Sequence, residues 1–248
     1  MVSKNQIKLV KSLQQKKYRN QQGLFVVEGI KAVRELLDSE FKTYAIFTTD
    51  VSVLDGHDEA VESVTNAELR KMSGLTTPNT VLGVFEMAKA GNIDFSDWIL
   101  AVDEVRDPGN LGTIIRLCDW FGIKHLVCSE NTVDCYNPKT LQATMGSIAR
   151  VQVGYTDLEE FLGKTDLPIF GAFMEGRAVY NTKMPKKGIL VMGNEANGIS
   201  SEVQALVSEK ISIPQFGKST TESLNVATAT AILLNEIRSA RHRRAPAK

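Results

Sequence analysis

The chain has 248 residues, of which 43% are hydrophobic, and its 29 Lys and Arg balance its 29 Asp and Glu at a formal net charge of zero. This length suits one large domain or two smaller ones, and a zero net charge taken alone argues against a nucleic-acid partner. The amino terminus is polar and no apolar run approaches the roughly 20 residues of a membrane span, so we expect neither a secretory segment nor a membrane anchor.

The three cysteines are Cys118, Cys128 and Cys135, an odd number without the spacing of metal ligands. Disulfides are rare in reducing compartments, and isolated cysteines usually serve as packing residues. We therefore expect a reduced, cytoplasmic protein without a structural metal site.

Charge is distributed unevenly along the chain. Residues 1–34 contain eight Lys or Arg and a single acid, Glu28, and the last residues are basic again. Basic ends around a neutral body are typical of a surface that binds phosphate, although solvated helix faces give the same pattern. Lys16, Lys17 and Arg19, in the basic amino-terminal stretch, are the candidate residues for contact with a nucleic acid.

Hydrophobic periodicity predicts alternating helices and strands before residue 90. Apolar residues at helical spacing follow Ile7 and Gly29, and Asn66 is placed to cap a short helix. Short apolar runs of the strand type occupy residues 24–27, 44–47 and 80–87. Because the polar, glycine-containing stretch 89–92 has the composition of a linker, we expect a small α/β domain over residues 1–90.

The rest of the chain, residues 95–248, also alternates strands and helices. Strands are expected at residues 98–102, 125–128, 150–155, 169–173, 189–192 and 210–213. Helices are expected at residues 111–121, 137–149, 158–162, 201–208 and from 223 to about 241, with Asn110 as the N-cap of the first of them. This order predicts an α/β domain whose parallel sheet is covered by helices on both faces.

Two loops follow the last two predicted strands. Residues 193–198 read GNEANG, and residues 214–224 form a long polar loop that begins at Pro214. Ligands of open α/β sheets bind beyond the carboxyl ends of the strands, so we expect both loops to contact one ligand. Gly193 would let the backbone approach closely, and Gly198 would permit a conformation that a side chain penalises.

Three motifs in this half of the chain carry a resemblance to a known family. They are DPGNLGTIIR at residues 107–116, GNEANGIS at residues 193–200, and ISIP at residues 211–214 followed by SLNVATATAILLNE at residues 223–236. In this order they resemble the motifs of the SpoU (TrmH-like) RNA 2′-O-ribose methyltransferases of the SPOUT superfamily. The stretch RNQQGLFVVEGIKAVRELL also resembles the substrate-binding domain of that family, so the likeness covers nearly the whole chain.

The resemblance implies a fold, a reaction and an assembly. It implies a substrate RNA-binding domain over residues 1–90, similar to small RNA-binding ribosomal proteins, and a catalytic domain over residues 95–248 with a deep carboxyl-terminal trefoil knot. The expected reaction moves a methyl group from S-adenosylmethionine to a ribose 2′-oxygen, with ribosomal RNA favoured over transfer RNA as the substrate. Members of the family usually act as homodimers with composite sites. Lys16, Lys17 and Arg19 are then the expected RNA contacts.

The resemblance implies that the two loops, residues 193–198 and 214–224, bind the cofactor. By analogy with the family, Gly193, Ile213 and Leu224 contact S-adenosylmethionine largely through their main chain. The expected cofactor-binding residues are Met192, Gly193, Asn194, Gly198, Ile213, Pro214 and Leu224.

The expected catalytic residues are Arg116, Asn110, Glu195, Ser223 and Asn225. A guanidinium stays protonated, so we expect Arg116 to hydrogen-bond the 2′-oxygen and a substrate phosphate rather than to act as a base. Glu195 would orient Arg116, within one chain or across a dimer, and Asn225 would anchor the cofactor loop or the acceptor. An N-cap role for Ser223 is as plausible as a catalytic one.

Three alternatives remain open at this stage: a transfer RNA 2′-O-methyltransferase, an enzyme that methylates a base, and a catalytically silent RNA-binding protein. The presence of Asn110, Arg116, Glu195 and Asn225 argues against the silent protein, which has no chemical reason to keep all four. Fold analogy does not separate the other two.

Overall fold

The computed structural model describes residues 2–54, 56–57, 61–89, 91–217 and 223–242. The chain forms two compact units. The first unit comprises Met1–Lys89 together with Asp134–Arg150, and the second comprises Ala90–Val133 and Val151–Lys248. The end of the predicted basic tail, from residue 243 onward, lies outside the described residues.

Helices and strands alternate along both units. The described α-helices are α1 (Lys4–Ser12), α2 (Lys16–Gln22), α3 (Ile30–Leu37), α4 (Asn66–Met72), α5 (Pro108–Trp120), α6 (Pro138–Thr144), α7 (Leu158–Gly163), α8 (Ser201–Ala205) and α9 (Val226–His242). The described strands are β1 (Leu24–Glu28), β2 (Thr43–Thr48), β3 (Val61–Ser63), β4 (Val81–Glu86), β5 (Ile99–Val102), β6 (His125–Ser129), β7 (Gln152–Thr156), β8 (Ile169–Ala178), β9 (Ile189–Met192) and β10 (Glu209–Ser212).

The first unit is built on a four-stranded sheet in the order β1-β4-β2-β3. Strand β4 runs antiparallel to both β1 and β2, whereas β3 runs parallel to β2. The expected cap of α4 at Asn66 is wrong by one residue, because Thr65 accepts a hydrogen bond from the Glu68 N–H and forms a capping box with it. The core of this sheet and its helices includes Val10, Leu13, Val26, Phe47 and Leu69.

The segment Asp134–Arg150 lies between β6 and β7 in the sequence but belongs to the first unit. Asp134 accepts a hydrogen bond at 3.1 Å from Nε of the buried Arg19, and the ring of Tyr136 lies 4.5 Å from that of Phe25. The predicted domain boundaries, 1–90 and 95–248, do not place the segment Asp134–Arg150 in the first unit, where the structure has it. Local periodicity carries no signal of it, because Arg19 and Asp134 are 115 positions apart.

The predicted helix over residues 137–149 is interrupted. Asn137 caps α6 as expected, since its side chain accepts a hydrogen bond from the Lys139 N–H. The helix ends at Thr144 because Met145, with φ of 52°, and Gly146, with φ of 94°, both adopt left-handed conformations. A single 3-10 turn, Ser147–Ala149, follows.

The second unit contains a six-stranded sheet in the order β10-β8-β9-β5-β6-β7, with every neighbouring pair parallel. The central strands β5 and β9 are buried along their whole length. One face packs against α7 and α8 through Ile99, Leu162 and Val203, while α5 and α9 pack together elsewhere in the unit. The prediction of a parallel-sheet α/β domain flanked by helices is confirmed, and the trefoil knot stays a prediction.

Two helices of the second unit begin at other residues than expected. Asp107, not Asn110, caps α5, because its Oδ1 accepts a hydrogen bond from the Asn110 N–H at 2.7 Å. Helix α9 begins at Val226 rather than at residue 223, and the Asn225 side chain accepts hydrogen bonds from the N–H groups of the first turn. Within the described residues, no helix has both the length and the apolar character of a membrane span.

Candidate active site

The second unit contains a cleft of about 840 Å³ bounded by the loops after β9 and β10, by part of β8 and by the first turns of α9. Such a volume is in the range of clefts that hold a small organic ligand. The structure brings all the expected cofactor-binding residues to this cleft. They are Met192, Gly193, Asn194, Gly198, Ile213, Pro214 and Leu224.

The inner wall of the cleft is apolar. Met192 at the end of β9, Ile211 in β10, and Val226 and Leu233 of α9 line it, and all four are buried. At the opening, Leu224 is 47% exposed although it is a large apolar residue. The cleft thus offers a hydrophobic surface of the kind that an aromatic base can occupy.

The loop after β9 is held in a tight, closed shape by its own backbone. Asn194 and Gly198 exchange two backbone hydrogen bonds, both of 2.9 Å. Gly198 has φ of 70°, and a Cβ on Gly193 would lie 2.2 Å from the carbonyl carbon of Gly198. Both glycines are therefore required by the geometry of the loop, as the sequence suggested.

The side chain of Asn194 fastens this loop rather than pointing freely into the cleft. Its Oδ1 accepts hydrogen bonds from the N–H groups of Ala196 and Asn197, and its Nδ2 donates to the carbonyl of Glu104 at 2.7 Å. Any cofactor contact by Asn194 consequently involves its main chain or the remaining edge of its amide.

Asp103 is a supporting residue that sequence reasoning missed. It is the first residue beyond β5 and is 4% exposed. Its Oδ2 accepts a hydrogen bond of 2.8 Å from the N–H of Ser200, which follows the glycine loop. An acid directly after a buried strand was the available signal, but its partner is 97 positions away.

Glu104, the next residue after Asp103, also supports the loop after β9, because its carbonyl accepts the hydrogen bond from Asn194. Its φ of 54° is left-handed, a conformation that costs free energy for a residue with a side chain and is common near functional sites. Its N–H donates to Ser129. Its side chain accepts hydrogen bonds from Asn131 and Arg106, and these two hold the pKa of Glu104 below its usual value, with Asn131 the main cause.

A chain of hydrogen bonds joins one residue from each of the three motifs. The Asn225 amide donates to Oδ1 of Asn110 at 2.8 Å, and the Asn110 amide donates to Oε1 of Glu195 at 2.7 Å. Glu195 also lines the cleft. Three of the five expected catalytic residues therefore meet at one edge of the cleft, although they are up to 115 positions apart in sequence.

Arg116 does not join this network within one chain. It is exposed on α5, and among the residues that the structure describes it makes no hydrogen bond or ion pair. Arg116 lies six positions after Asn110, which places the two side chains about 120° apart around the helix. Within one chain Glu195 does not orient Arg116, because Arg116 forms no hydrogen bond or ion pair with the described residues, while Oε1 of Glu195 accepts from Asn110. Orientation across a dimer stays a prediction.

Ser223 lines the cleft and is exposed. It is not the N-cap of α9, since that role belongs to Asn225. Ser223 stands beside Leu224 at the opening of the cleft, where its hydroxyl can reach a ligand. This position agrees with the catalytic role weighed for Ser223 and not with the N-cap role.

The expected nucleic-acid contacts in the first unit divide into two kinds. Lys16 and Lys17, at the start of α2, are exposed. Arg19 is 2% exposed, and its guanidinium binds Asp134 and the carbonyl oxygens of Leu13 and Gln14. The prediction that Arg19 contacts RNA is therefore wrong, because the side chain is buried and its Nε, Nη1 and Nη2 atoms each donate to an acceptor within the protein.

Comparison with known proteins agrees with this geometry. The sequence model of the SpoU rRNA Methylase family matches residues 97–235, more than half of the chain. A model of the MRM3-like substrate binding domain matches residues 4–83. The two matches correspond to the alternating α/β segments on either side of the linker at residues 89–92.

Several similar proteins, of known sequence or known structure, match nearly the whole chain. The 23S rRNA (guanosine(2553)-2′-O)-methyltransferase RlmP of Bacillus subtilis is 29% identical over 95% of this chain and 97% of its own. A putative RNA methyltransferase of the TrmH family from Porphyromonas gingivalis is 37% identical, with a TM-score of 0.88 over 96% of this chain and 99% of its own. The AdoMet-bound rRNA methyltransferase from Sinorhizobium meliloti is 28% identical, with a TM-score of 0.85 over 99% of this chain and 98% of its own.

The loop held by Gly193 and Gly198, the network of Asn110, Glu195 and Asn225, and these matches all lead to one conclusion. The chain belongs to the SpoU rRNA methylase family.

Proposed function

We propose that this protein transfers a methyl group from S-adenosylmethionine to a ribose 2′-oxygen of ribosomal RNA. The observation that carries the proposal is the hydrogen-bonded chain from Asn225 through Asn110 to Glu195 at the edge of the cleft. Relatives support it, because the Bacillus subtilis protein is a 23S rRNA 2′-O-methyltransferase and the Sinorhizobium meliloti protein is an rRNA methyltransferase found with AdoMet bound.

The residues of the cleft fit S-adenosylmethionine. The apolar wall of Met192, Ile211 and Val226 suits the adenine ring, and the closed backbone of the glycine loop presents main-chain groups to its polar edge. When bound, S-adenosylmethionine supplies a sulfonium methyl group, whose carbon–sulfur bond breaks as the ribose oxygen attacks. No metal is needed for this step, because the sulfonium leaves readily.

The chain's own residues position the acceptor and stabilise charge. Glu195, with its Oε1 fixed by Asn110, holds a carboxylate at the edge of the cleft, and Asn225 holds Asn110 in place. The Arg116 guanidinium stabilises negative charge on the 2′-oxygen as its proton passes to water, and it binds a neighbouring phosphate. Ser223 contributes a hydroxyl at the opening.

The active site is composite in a homodimer. Thr113, Arg116 and Trp120 form an exposed stripe along α5, and Trp120 is 82% exposed, which is unusual for so large an apolar side chain. Since Arg116 faces away from the Asn110 network of its own chain, we place it in the site of a second copy. Sedimentation should give a dimer, and a mixture of Arg116→Ala and Asn225→Ala chains should regain up to about a quarter of wild-type activity through dimers with one intact site.

The first unit supplies substrate recognition. It corresponds to the proposed substrate RNA-binding domain over residues 1–90, with Lys16 and Lys17 exposed for contact with phosphate. Residues 95–248, apart from the returning segment Asp134–Arg150, form the proposed catalytic domain, whose carboxyl-terminal part we expect to be knotted. A cytoplasmic location fits an RNA substrate and the three buried cysteines, which form no disulfide among the described residues.

The experiment that tests this function transfers labelled methyl from S-adenosylmethionine to ribosomal and transfer RNA from a strain that lacks the protein. After alkaline hydrolysis, we expect the label in an alkali-resistant dinucleotide from ribosomal RNA, because a 2′-O-methyl group blocks cleavage of the adjacent phosphodiester. Label in a mononucleotide would instead identify a modified base, and label confined to transfer RNA would change the substrate.

A further inference from the structure

Strand β8 leaves the regular sheet pattern where it passes the cleft. Its pairing with β10 jumps from Gly171 opposite Lys210 to Arg177 opposite Ile211, so residues 172–176 are skipped in the backbone register between the two strands. A bulge of this kind redirects side chains and is common beside functional sites. Ala172, Phe173, Met174 and Glu175, all within the bulge, line the cleft.

The carboxyl end of the bulge is fixed on β10. The Ser212 hydroxyl donates to the carbonyl of Gly176 at 3.0 Å. A Cβ on Gly176 would lie 2.8 Å from the carbonyl oxygen of Lys210, so only glycine fits this close approach of two backbones. The bulge is therefore a built feature that presents the residues before Gly176 to the cleft.

Two side chains of opposite charge line the cleft at this bulge. Glu175 contributes a carboxylate, and Lys210 of the neighbouring strand contributes an ammonium group held 4.7 Å from the centre of the Phe173 ring. Among the residues that the structure describes, neither Glu175 nor Lys210 forms an ion pair. By contrast, Arg177 and Glu209, also on these two strands, pair at 3.3 Å.

We propose that Glu175 and Lys210 recognise the amino-acid end of S-adenosylmethionine, an inference that rests on the proposed function. Lys210 binds the α-carboxylate and Glu175 binds the α-ammonium group. These two groups form the only zwitterion of the donor. At one wall of the cleft, Glu175 and Lys210 offer one charge of each sign, and neither is in an ion pair among the described residues. The apolar wall is left for the adenine.

The charge of the whole cleft is consistent with this assignment. Its charged lining residues, within the described part of the chain, are Glu175, Glu195 and Lys210. S-adenosylmethionine carries an ammonium, a sulfonium and a carboxylate, so two positive groups and one negative group meet two carboxylates and one ammonium. Complementarity of this type favours the sulfonium donor, and it leaves Glu195 for the side where the methyl group is transferred.

Calorimetric titration with two ligands tests the proposal. S-adenosylhomocysteine carries the amino-acid end, whereas 5′-methylthioadenosine has the same adenosine and thioether without it. We expect Glu175→Gln and Lys210→Gln each to weaken binding of S-adenosylhomocysteine about tenfold, the loss of one charge-assisted hydrogen bond. Binding of 5′-methylthioadenosine should remain within about twofold of wild type.

Glu159→Gln, an exposed acid on α7 away from the cleft lining, is the matched control and should change neither affinity. Because Glu175 and Lys210 are both exposed, their variants should fold, and an unchanged melting temperature verifies this. Equal weakening of both ligands, or no weakening of either, would overturn the proposal while leaving the function intact. A wild-type protein that binds neither ligand would overturn both.

Discussion

Arg19 shows how strongly one buried residue can depend on a distant partner. Its guanidinium is enclosed in the first unit, bound to Asp134 and to the carbonyl oxygens of Leu13 and Gln14 at 2.9 and 3.0 Å. A cluster of basic residues in the sequence predicted a surface site. Composition cannot distinguish a solvated arginine from a buried one when its acidic partner lies 115 positions away.

We expect Arg19→Ala to lower the free energy of unfolding by about 3–5 kcal/mol, because Asp134 would remain buried without its counter-charge. Urea unfolding followed by circular dichroism measures this. Lys17→Ala, two positions away on the same helix and exposed, should change stability by less than about 0.5 kcal/mol. Equal stability of the two variants would mean that the Arg19 pair does not hold the returning segment in place.

At the scale of the element, the loop after β9 depends on glycine. A methyl group added to Gly193 would lie 2.2 Å from the carbonyl carbon of Gly198, closer than atoms of neighbouring chain segments can approach. We expect Gly193→Ala to open the loop and to weaken S-adenosylhomocysteine binding at least about a hundredfold, since the main-chain groups of the cleft would move.

Gly163→Ala is the control for this change, because a Cβ there meets nothing within 4 Å. Calorimetric titration of both variants should show the loss only at Gly193. Wild-type affinity in Gly193→Ala would contradict a contact between the ligand and the loop in its observed shape.

The start of β6 carries a pH-dependent interaction. His125 is 7% exposed, and its Nε2 accepts a hydrogen bond of 3.0 Å from the N–H of Asp94, which requires the neutral ring. Desolvation lowers the pKa of His125 below its usual value. The unfolded chain therefore binds a proton more readily than the folded one, and the contribution of His125 to stability falls as the pH drops below about 6.5.

Urea unfolding between pH 5 and pH 8 measures this effect. The free energy of unfolding should decrease from about pH 6.5 downward, until the pH passes the lowered pKa of the folded state. His125→Gln keeps an acceptor for the Asp94 N–H but has no titrating group, so its pH profile should be flatter over this window. Parallel profiles for the two proteins would show that His125 does not cause the pH dependence of stability.

The sequence predicted the presence of helices and strands better than it predicted where they end or where their regular pattern is interrupted. Apolar runs located the strands of the parallel sheet, because strands buried on both faces carry continuous hydrophobic residues. The cap of α5 moved from Asn110 to Asp107 because two polar residues competed for the role. The predicted strand at residues 169–173 stopped short of Ala178, since Met174, Glu175 and Gly176 in the bulge lack a strand pattern.

At the scale of the whole molecule, the parallel sheet explains why distant motifs form one site. Strands β5 and β9 are neighbours and run in the same direction, so the segments that follow them begin at the same edge of the sheet. Asn110 on α5 and Glu195 in the loop after β9 consequently meet, and α9 adds Asn225. The motif order predicted this set, whereas the hydrogen bonds among its members required the structure.

The basic residues of the first unit should govern the dependence of RNA binding on salt. Each lysine that contacts phosphate releases counterions, so Lys16→Gln with Lys17→Gln should weaken binding to ribosomal RNA and reduce the slope of log affinity against log salt by about 1.4–1.8. Filter binding from 50 to 300 mM salt gives this slope. Lys164→Gln, an exposed lysine of the second unit, is the control, and an unchanged slope in the double variant would remove α2 from the interface.

The most direct test of the proposed reaction compares wild-type protein with Arg116→Ala in methyl transfer to ribosomal RNA. The affinity for S-adenosylhomocysteine is determined on the same samples. Arg116 is exposed and lies outside the cleft lining, so affinity should stay within a few-fold. Transfer should fall by at least about a hundredfold, because charge on the 2′-oxygen would lose its stabilising donor. Transfer near the wild-type rate would contradict the role of Arg116 and the site built around it.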